Sequence, residues 1–182
     1  HEVALNVLRP ISRKYDKAEH AYPKELDMLA ALVDGMNQAG DGMNAGAAVN
    51  KRGDTSTGNK NGVNMSTALS IVEMCYGDTG LLLSMPRQGL GNSAIAAVAN
   101  EEQLQRFNGV WAAMAITEPN CGSDSAAIRT TATKVDNEYI LNGEKIFVTS
   151  GDRADAVVVW ATLDKKLGRA AIKSFVVTKG TP

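Results

Sequence analysis

Thr117 to Asp124 reads TEPNCGSD and directly follows the apolar run VWAAMAI. Gly122 and Ser123 can present successive backbone N–H groups and a hydroxyl without bulky side chains, the neutral donor set that holds a phosphate or pyrophosphate. Asp124 could fold back onto nearby N–H groups and pin the turn. An ordinary Asx-type turn with no ligand is the alternative, and these residue types leave both open. Pro119 cannot donate to a sheet and biases Glu118 toward extended geometry, so a strand from Trp111 ends here and a loop begins. Glu118 itself raises the question of a general base.

A second motif turns out to be a decoy. Gly89 to Ala94 reads GLGNSA and satisfies GxGxxA, a pattern that binds dinucleotides when a strand precedes it, a helix follows it and an acid stands about 20 residues on. Pro86, Arg87 and Gln88 separate it from the preceding apolar run, and the acidic position falls in NGVWAAM, which contains none. Its glycines are read as helix-packing or turn residues. The histidines, His1 and His20, lie far from the two cysteines, Cys75 and Cys121, and neither a CxxC nor a Cys/His spacing occurs. No metal site is expected, and both cysteines are read as free thiols in a reducing compartment.

These loops need a scaffold, and the bulk numbers permit one. The chain has 182 residues, 44% hydrophobic and 21% charged, enough to bury a core in one large or two small domains. A formal net charge of −1 gives no electrostatic case for nucleic acid or an anionic membrane, so any bound anion must be held locally. No run reaches the roughly 18–20 apolar residues of a membrane helix, and HEVALNVLRP lacks the layout of a signal peptide. A soluble, intracellular protein is expected.

The sequence period divides the chain. Val3, Val7, Leu8 and Ile11 predict a helix over 2–15 that Pro10 must kink or interrupt. Pro23 suits the first turn of a second helix, whose Leu26, Leu29, Leu32 and Val33 form a core-packing stripe. Residues 40–62, rich in glycine and small polar residues, predict a loop. Met65, Leu69, Val72 and Tyr76 mark a third helix, an alanine-rich helix follows Pro86, and Asn100 with Gln103 forms a capping-box pattern. From Val110 the period becomes two: residues 128–135, EYIL, KIFVT, DAVVVWAT and IKSFVV read as short strands. Asp136-Asn137 and Asn142-Gly143 are read as hairpin turns, the second with a type I′ signal. The expected fold is therefore α+β: an N-terminal helical bundle domain over 1–109, then an antiparallel β domain over 110–182 that breaks off with an open sheet edge.

MAITEPNCGSD at 114–124 with NGEKIFVTSG at 142–151 resembles the flavin-binding segments of the acyl-CoA dehydrogenase family. RPISRKYDKAEHAYPKELD and NEEQLQRF are similar to its N-terminal helices, so the resemblance covers essentially the whole chain. It implies an FAD-dependent oxidoreductase that converts a fatty acyl-CoA thioester to the trans-2-enoyl-CoA, as in fatty acid β-oxidation, and passes electrons to an electron-transferring flavoprotein. By resemblance Met114, Ile116 and Thr117 line the flavin, Gly122 and Ser123 meet its pyrophosphate, and Phe147, Val148 and Thr149 form a second wall. Ser123 also lies beside the bound acyl-CoA, and the Thr149 hydroxyl is placed near flavin N5.

Met114 and Phe147 depart from the more usual aromatic and tryptophan, and Cys121 from a small residue. The family's catalytic glutamate lies in a C-terminal helical domain beyond this stretch, so no residue here is assigned as catalytic base. Glu118 belongs to the motif whichever helix supplies the acid, and is given a structural role. The resemblance further implies a homotetramer or homodimer of a longer chain, a bacterial cytoplasmic protein or a mitochondrial matrix one, and, for these 182 residues alone, FAD binding that is weak or absent and no activity. Alternatives are an acyl-CoA oxidase-like relative and a non-catalytic partner subunit that supplies part of the flavin site.

Overall fold

A computed structural model of the chain describes residues 1–19, 21–38, 62–86 and 90–182. The loop expected over 40–62 lies almost wholly outside the described residues, as does Gly89 of the GLGNSA motif. Contacts divide the chain into His1–Gly89 and Leu90–Pro182.

In the first unit, Pro10 leaves its mark one turn upstream. A π-helical stretch, Ala4–Leu8, precedes α1 (Arg9–Lys17), and the Arg9 N–H donates to Ala4 O five residues back. Widening the turn there lets the helix run on through a residue that has no N–H to give. α2 (Glu25–Gln38) buries Leu26, Leu29 and Ala30, but Leu32 is exposed, a correction to the expected stripe. Leu32 stands about 120° around the helix from Leu26, and Ala30 takes its place on the buried face. Val33 lies outside the side chains described. α3 (Gly62–Gly77) forms as the spacing predicts, yet Met65, Leu69, Val72 and Tyr76 make up its exposed side, while Met74 joins Leu8, Leu26, Leu29, Leu81 and Met85 in the core.

Asp78 stitches this unit together. As N-cap of α4 (Thr79–Ser84) its Oδ1 accepts from Leu81 N at 2.8 Å, while Oδ2 accepts from the Ser12 hydroxyl on α1. Asp78→Ala removes both bonds, and a lost N-cap costs about 0.5–2 kcal/mol. The denaturant midpoint is therefore expected to fall, with Ser12→Ala causing a smaller drop.

The second unit opens with α5 (Leu90–Val98) and α6 (Glu101–Arg106), the latter carrying the predicted capping box between Asn100 and Gln103. α5 lies against β1 (Ala112–Ala115), ahead of the change of period at Val110. Asn92, 1% exposed, donates from Nδ2 to Val110 O at 2.7 Å and accepts Ala112 N at 2.9 Å, so one buried amide fixes the helix to the strand entry. A Cβ at Gly91 would stand 2.3 Å from Ala113 O and 2.5 Å from Ala112 O. The second glycine of the GxGxxA pattern thus serves helix-to-strand packing.

The α+β class stands, but the sheet is mixed. β4 (Ala156–Thr162) pairs in parallel with β1, from Ala112↔Ala156 to Ala115↔Val159, and in antiparallel with β5 (Ile172–Thr178). β2 (Thr131–Val135) and β3 (Glu138–Asn142) form a hairpin that joins β4 in parallel at Thr131↔Thr162. Alternation shows which residues share a face but carries no strand direction, which is why a fully antiparallel sheet was expected. A parallel pair needs a long crossover. Here the crossover from β1 to β4 contains both motifs.

Two strand-level expectations fail for one reason. Asp136-Asn137 does turn the β2–β3 hairpin, with Asp136 at φ 52 as primed hairpin turns require. Asn142-Gly143 does not, because KIFVT forms no strand for the chain to return into. Instead the chain passes over Thr130 so closely that a Cβ at Gly143 would lie 2.4 Å from Thr130 Oγ1. It then turns inward at Lys145.

Candidate functional site

β1 ends at Ala115, and the backbone of the first motif is held by paired bonds. Glu118 N donates to Cys121 O at 2.9 Å and Cys121 N to Glu118 O at 3.1 Å, closing a tight turn over Pro119 and Asn120. Gly122 and Ser123 follow, both exposed. The Asp124 side chain makes no capping bond to the short 3-10 turn Ser125–Ala127; its backbone carbonyl accepts Ala127 N at 3.0 Å instead. The acid that pins this loop is Glu118.

Glu118 is 6% exposed and both of its carboxylate oxygens accept hydrogen bonds, with Cys121 Sγ lying 3.8 Å from Oε2. Oε1 accepts from Thr130 N at 2.9 Å, the Thr130 hydroxyl at 2.6 Å and Lys145 Nζ at 2.8 Å, while Oε2 accepts from Arg129 N at 2.6 Å. Burial alone would raise the carboxyl's pKa, but the Lys145 ammonium and the Thr130 and Arg129 donors outweigh it and lower it from 4.5 to about 2. A carboxylate held ionised well below neutral pH, with both oxygens engaged by donors, is a poor base for a substrate proton.

Lys145 brings the second motif to the first. Its Nζ also donates to Ile116 O at 2.8 Å, and Ile146 N donates to Thr117 O at 2.9 Å. Phe147 then adopts φ 56 with its ring 88% exposed, and Ser150 adopts φ 59. Val148 points the other way and packs with Trp111, Ala113 and Ala154. Of the residues singled out in the sequence, Met114, Ile116, Thr117, Val148 and Thr149 are half-buried, whereas Phe147, Gly122 and Ser123 are exposed. A Cβ at Gly122 would meet nothing within 4 Å, and its φ is not left-handed. The fold itself makes no demand for glycine there.

Beside the loop opens a pocket of about 410 Å³ whose walls include Ile116, Ile128, Trp160 and Ile172, with Ser125 and the exposed Arg169 also lining it. The Trp160 Nε1 is buried and has no hydrogen-bond partner. A second pocket of about 220 Å³ shares Ile128 and adds Arg129, Lys165 and Thr162, whose buried hydroxyl also lacks a partner. Three cations, Arg169, Arg129 and Lys165, line these pockets beside the apolar side chains, an arrangement that suits an anionic ligand with an apolar arm. Lys145, Trp160 and Arg169 escaped the sequence reading. The available signals were a lysine set directly against the apolar IFV and a tryptophan in an otherwise largely aliphatic strand.

Among the described residues no cluster of His, Cys, Asp and Glu could hold a metal ion, and no helix is long and apolar enough to cross a membrane.

Residues 113–182 match the family model "Acyl-CoA dehydrogenase, middle domain". The chain is 33% identical over 187 residues to the short-chain specific acyl-CoA dehydrogenase of Clostridium acetobutylicum, covering 98% of this chain and 45% of that protein. Among solved structures it superposes on butyryl-CoA dehydrogenase from Megasphaera elsdenii with a TM-score of 0.74 at 27% identity, over 100% of this chain and 46% of that one. On the FAD complex of PigA the TM-score is 0.73 at 25% identity, over 100% and 46%. The chain spans less than half the length of each of these proteins. With the middle-domain model matched over residues 113–182 and the fold shared along its whole length, the chain belongs to the acyl-CoA dehydrogenase family.

Proposed function

We propose that these residues supply one wall of the flavin and acyl-CoA site of an FAD-dependent acyl-CoA dehydrogenase. The observation that carries this reading is the clamping of Ile116–Glu118 to Lys145–Ile146, which brings the two motifs side by side with Phe147 turned outward. Met114, Ile116, Thr117, Phe147, Val148 and Thr149 would hold the isoalloxazine, using apolar contacts and neutral hydroxyls that orient it without the desolvation cost of a charge. Gly122 and Ser123 would take the pyrophosphate, and the unconstrained Gly122 supports this because its lack of a side chain answers no need of the fold. Bound FAD would supply the hydride acceptor for α,β-dehydrogenation of the thioester.

The rest falls to the chain. Ser123 would contact the acyl-CoA, the apolar pocket walls would take its arm, and Arg169, Arg129 and Lys165 would face its phosphates. Ile116 and Trp160 would help keep water from the reacting carbons, which strengthens any donor placed on the thioester oxygen. Glu118 is committed to the loop, so the proton-abstracting carboxylate belongs to a part of the protein beyond these residues. An electron-transferring flavoprotein is the proposed oxidant of the reduced enzyme, which we take to be a homotetramer or homodimer in the bacterial cytoplasm.

The full-length protein, supplied with butyryl-CoA, is expected to yield the trans-2-enoyl-CoA by mass spectrometry, faster with an electron-transferring flavoprotein than with oxygen. Enoyl product formed faster with oxygen would make the protein an oxidase. No enoyl product with either acceptor and any acyl-CoA would refute the reading.

A further inference from the structure

Lys145 and Glu118 form an ion pair 2.8 Å long that is 9% and 6% exposed, in a unit whose other buried side chains are nearly all apolar or neutral. Pairs of this kind are weak sources of stability, since apolar residues of equal volume often serve as well. Their geometry is another matter. Three consecutive residues of the first motif grip the second: Ile116 O and the Glu118 carboxylate hold Lys145, and Thr117 O holds the Ile146 N–H at 2.9 Å. One residue later the backbone enters the left-handed region at Phe147, which is costly for a bulky side chain. With its ring 88% exposed, Phe147 gains little from burial to offset that cost. The conformation has to be imposed from both sides, by the clamp before it and by Val148 packed on Trp111, Ala113 and Ala154 after it.

We propose that the buried Glu118–Lys145 pair is a positioning device: by clamping Lys145–Ile146 to Ile116–Glu118 it sets the backbone of Phe147 and so aims the second flavin wall. Lys145 is a positioning residue that acts through Phe147. The proposal rests on the FAD reading above for what the wall faces, but not for the clamp itself. Directional bonds on both partners favour a single register, whereas an apolar pair in the same space could slide.

The test uses the full-length apoprotein at low temperature, where far-UV circular dichroism verifies folding. In Lys145→Met, amide hydrogen exchange across residues 144–151 is expected to speed up about tenfold while β4 keeps its protection, because the opening is local. FAD titrated into the same apoprotein is expected to bind about tenfold more weakly, which corresponds to 1.4 kcal/mol. Lys145→Arg should recover most of both. The double variant Glu118→Gln with Lys145→Met leaves no buried charge unpaired and makes the same comparison should Lys145→Met not fold. Unchanged exchange at 144–151, or a rise shared equally by β4, would overturn the proposal. Failure of the unaltered apoprotein to bind FAD would instead count against the flavin reading, and the exchange contrast would still decide the clamp.

Discussion

Glu118→Leu is expected to destabilise the protein by about 3–5 kcal/mol, because it strands the Lys145 ammonium without its counter-charge in a buried site. The same change leaves Thr130 N and Arg129 N without their acceptor. Urea denaturation should show a lower midpoint. Glu118→Gln, which keeps one acceptor oxygen, should fall between the leucine variant and the original.

The carboxyl's lowered pKa gives this prediction a pH signature. Folding holds Glu118 at about 2 against an ordinary 4.5, so the folded state favours the ionised form. The resulting stability, about 3 kcal/mol by linkage, is fully present above pH 4.5 and fades as the pH falls from there toward 2. The stability difference between the original protein and Glu118→Gln should therefore shrink across that window. A difference independent of pH would show that Glu118 is not held ionised by its partners.

Gly91→Val carries the second large effect. Its Cβ would sit 2.3 Å from Ala113 O and 2.7 Å from the Ala112 carbonyl carbon, and these are backbone atoms of β1 that cannot swing aside as a side chain could. Either α5 lifts off the strand or β1 shifts in register with β4, and overpacking of this kind costs about 1–3 kcal/mol or more. Lifting α5 also breaks both Asn92 bonds, which places the result at or above the top of that range. A thermal melt is the direct check, and Gly91→Ala should already show most of the loss because the clash begins at Cβ. A melt unchanged from the original would mean that α5 does not pack on β1 as described.

Comparison of the sequence with the structure shows where local pattern suffices. Helices with an apolar repeat or a capping box, such as α3 and α6, were legible because their signals lie within a turn or two. The stripe of α3 was read correctly as helical, yet it faces outward. Periodicity identifies a face, and only packing decides which face is covered. Strand direction in β1 and β4 was illegible because it depends on the crossover between them. KIFVT misled because it looks like a strand, but Lys145 is drawn in by a carboxylate 27 positions earlier, a pairing that no local window reveals.

The site divides in the same way. TEPNCGSD and NGEKIFVTSG were legible as motifs, and the family they resemble is the one whose middle-domain model matches residues 113–182. Glu118 was assigned a structural role by its membership of the motif, and its five hydrogen-bond and ion-pair contacts now supply the physical reason. Trp160 and Arg169 come from β4 and from the 3-10 helical stretch Lys165–Ala171, which only the folded chain brings to the pocket beside Ile116.

Anaerobic titration of the full-length protein with an acyl-CoA, followed through the visible absorbance of its flavin, tests the central claim most directly. The account predicts that FAD copurifies with the protein and that its long-wavelength band bleaches in proportion to the thioester added, with Phe147→Ala weakening flavin retention. A full-length protein that folds, retains no flavin and shows no bleaching after FAD is supplied would contradict it.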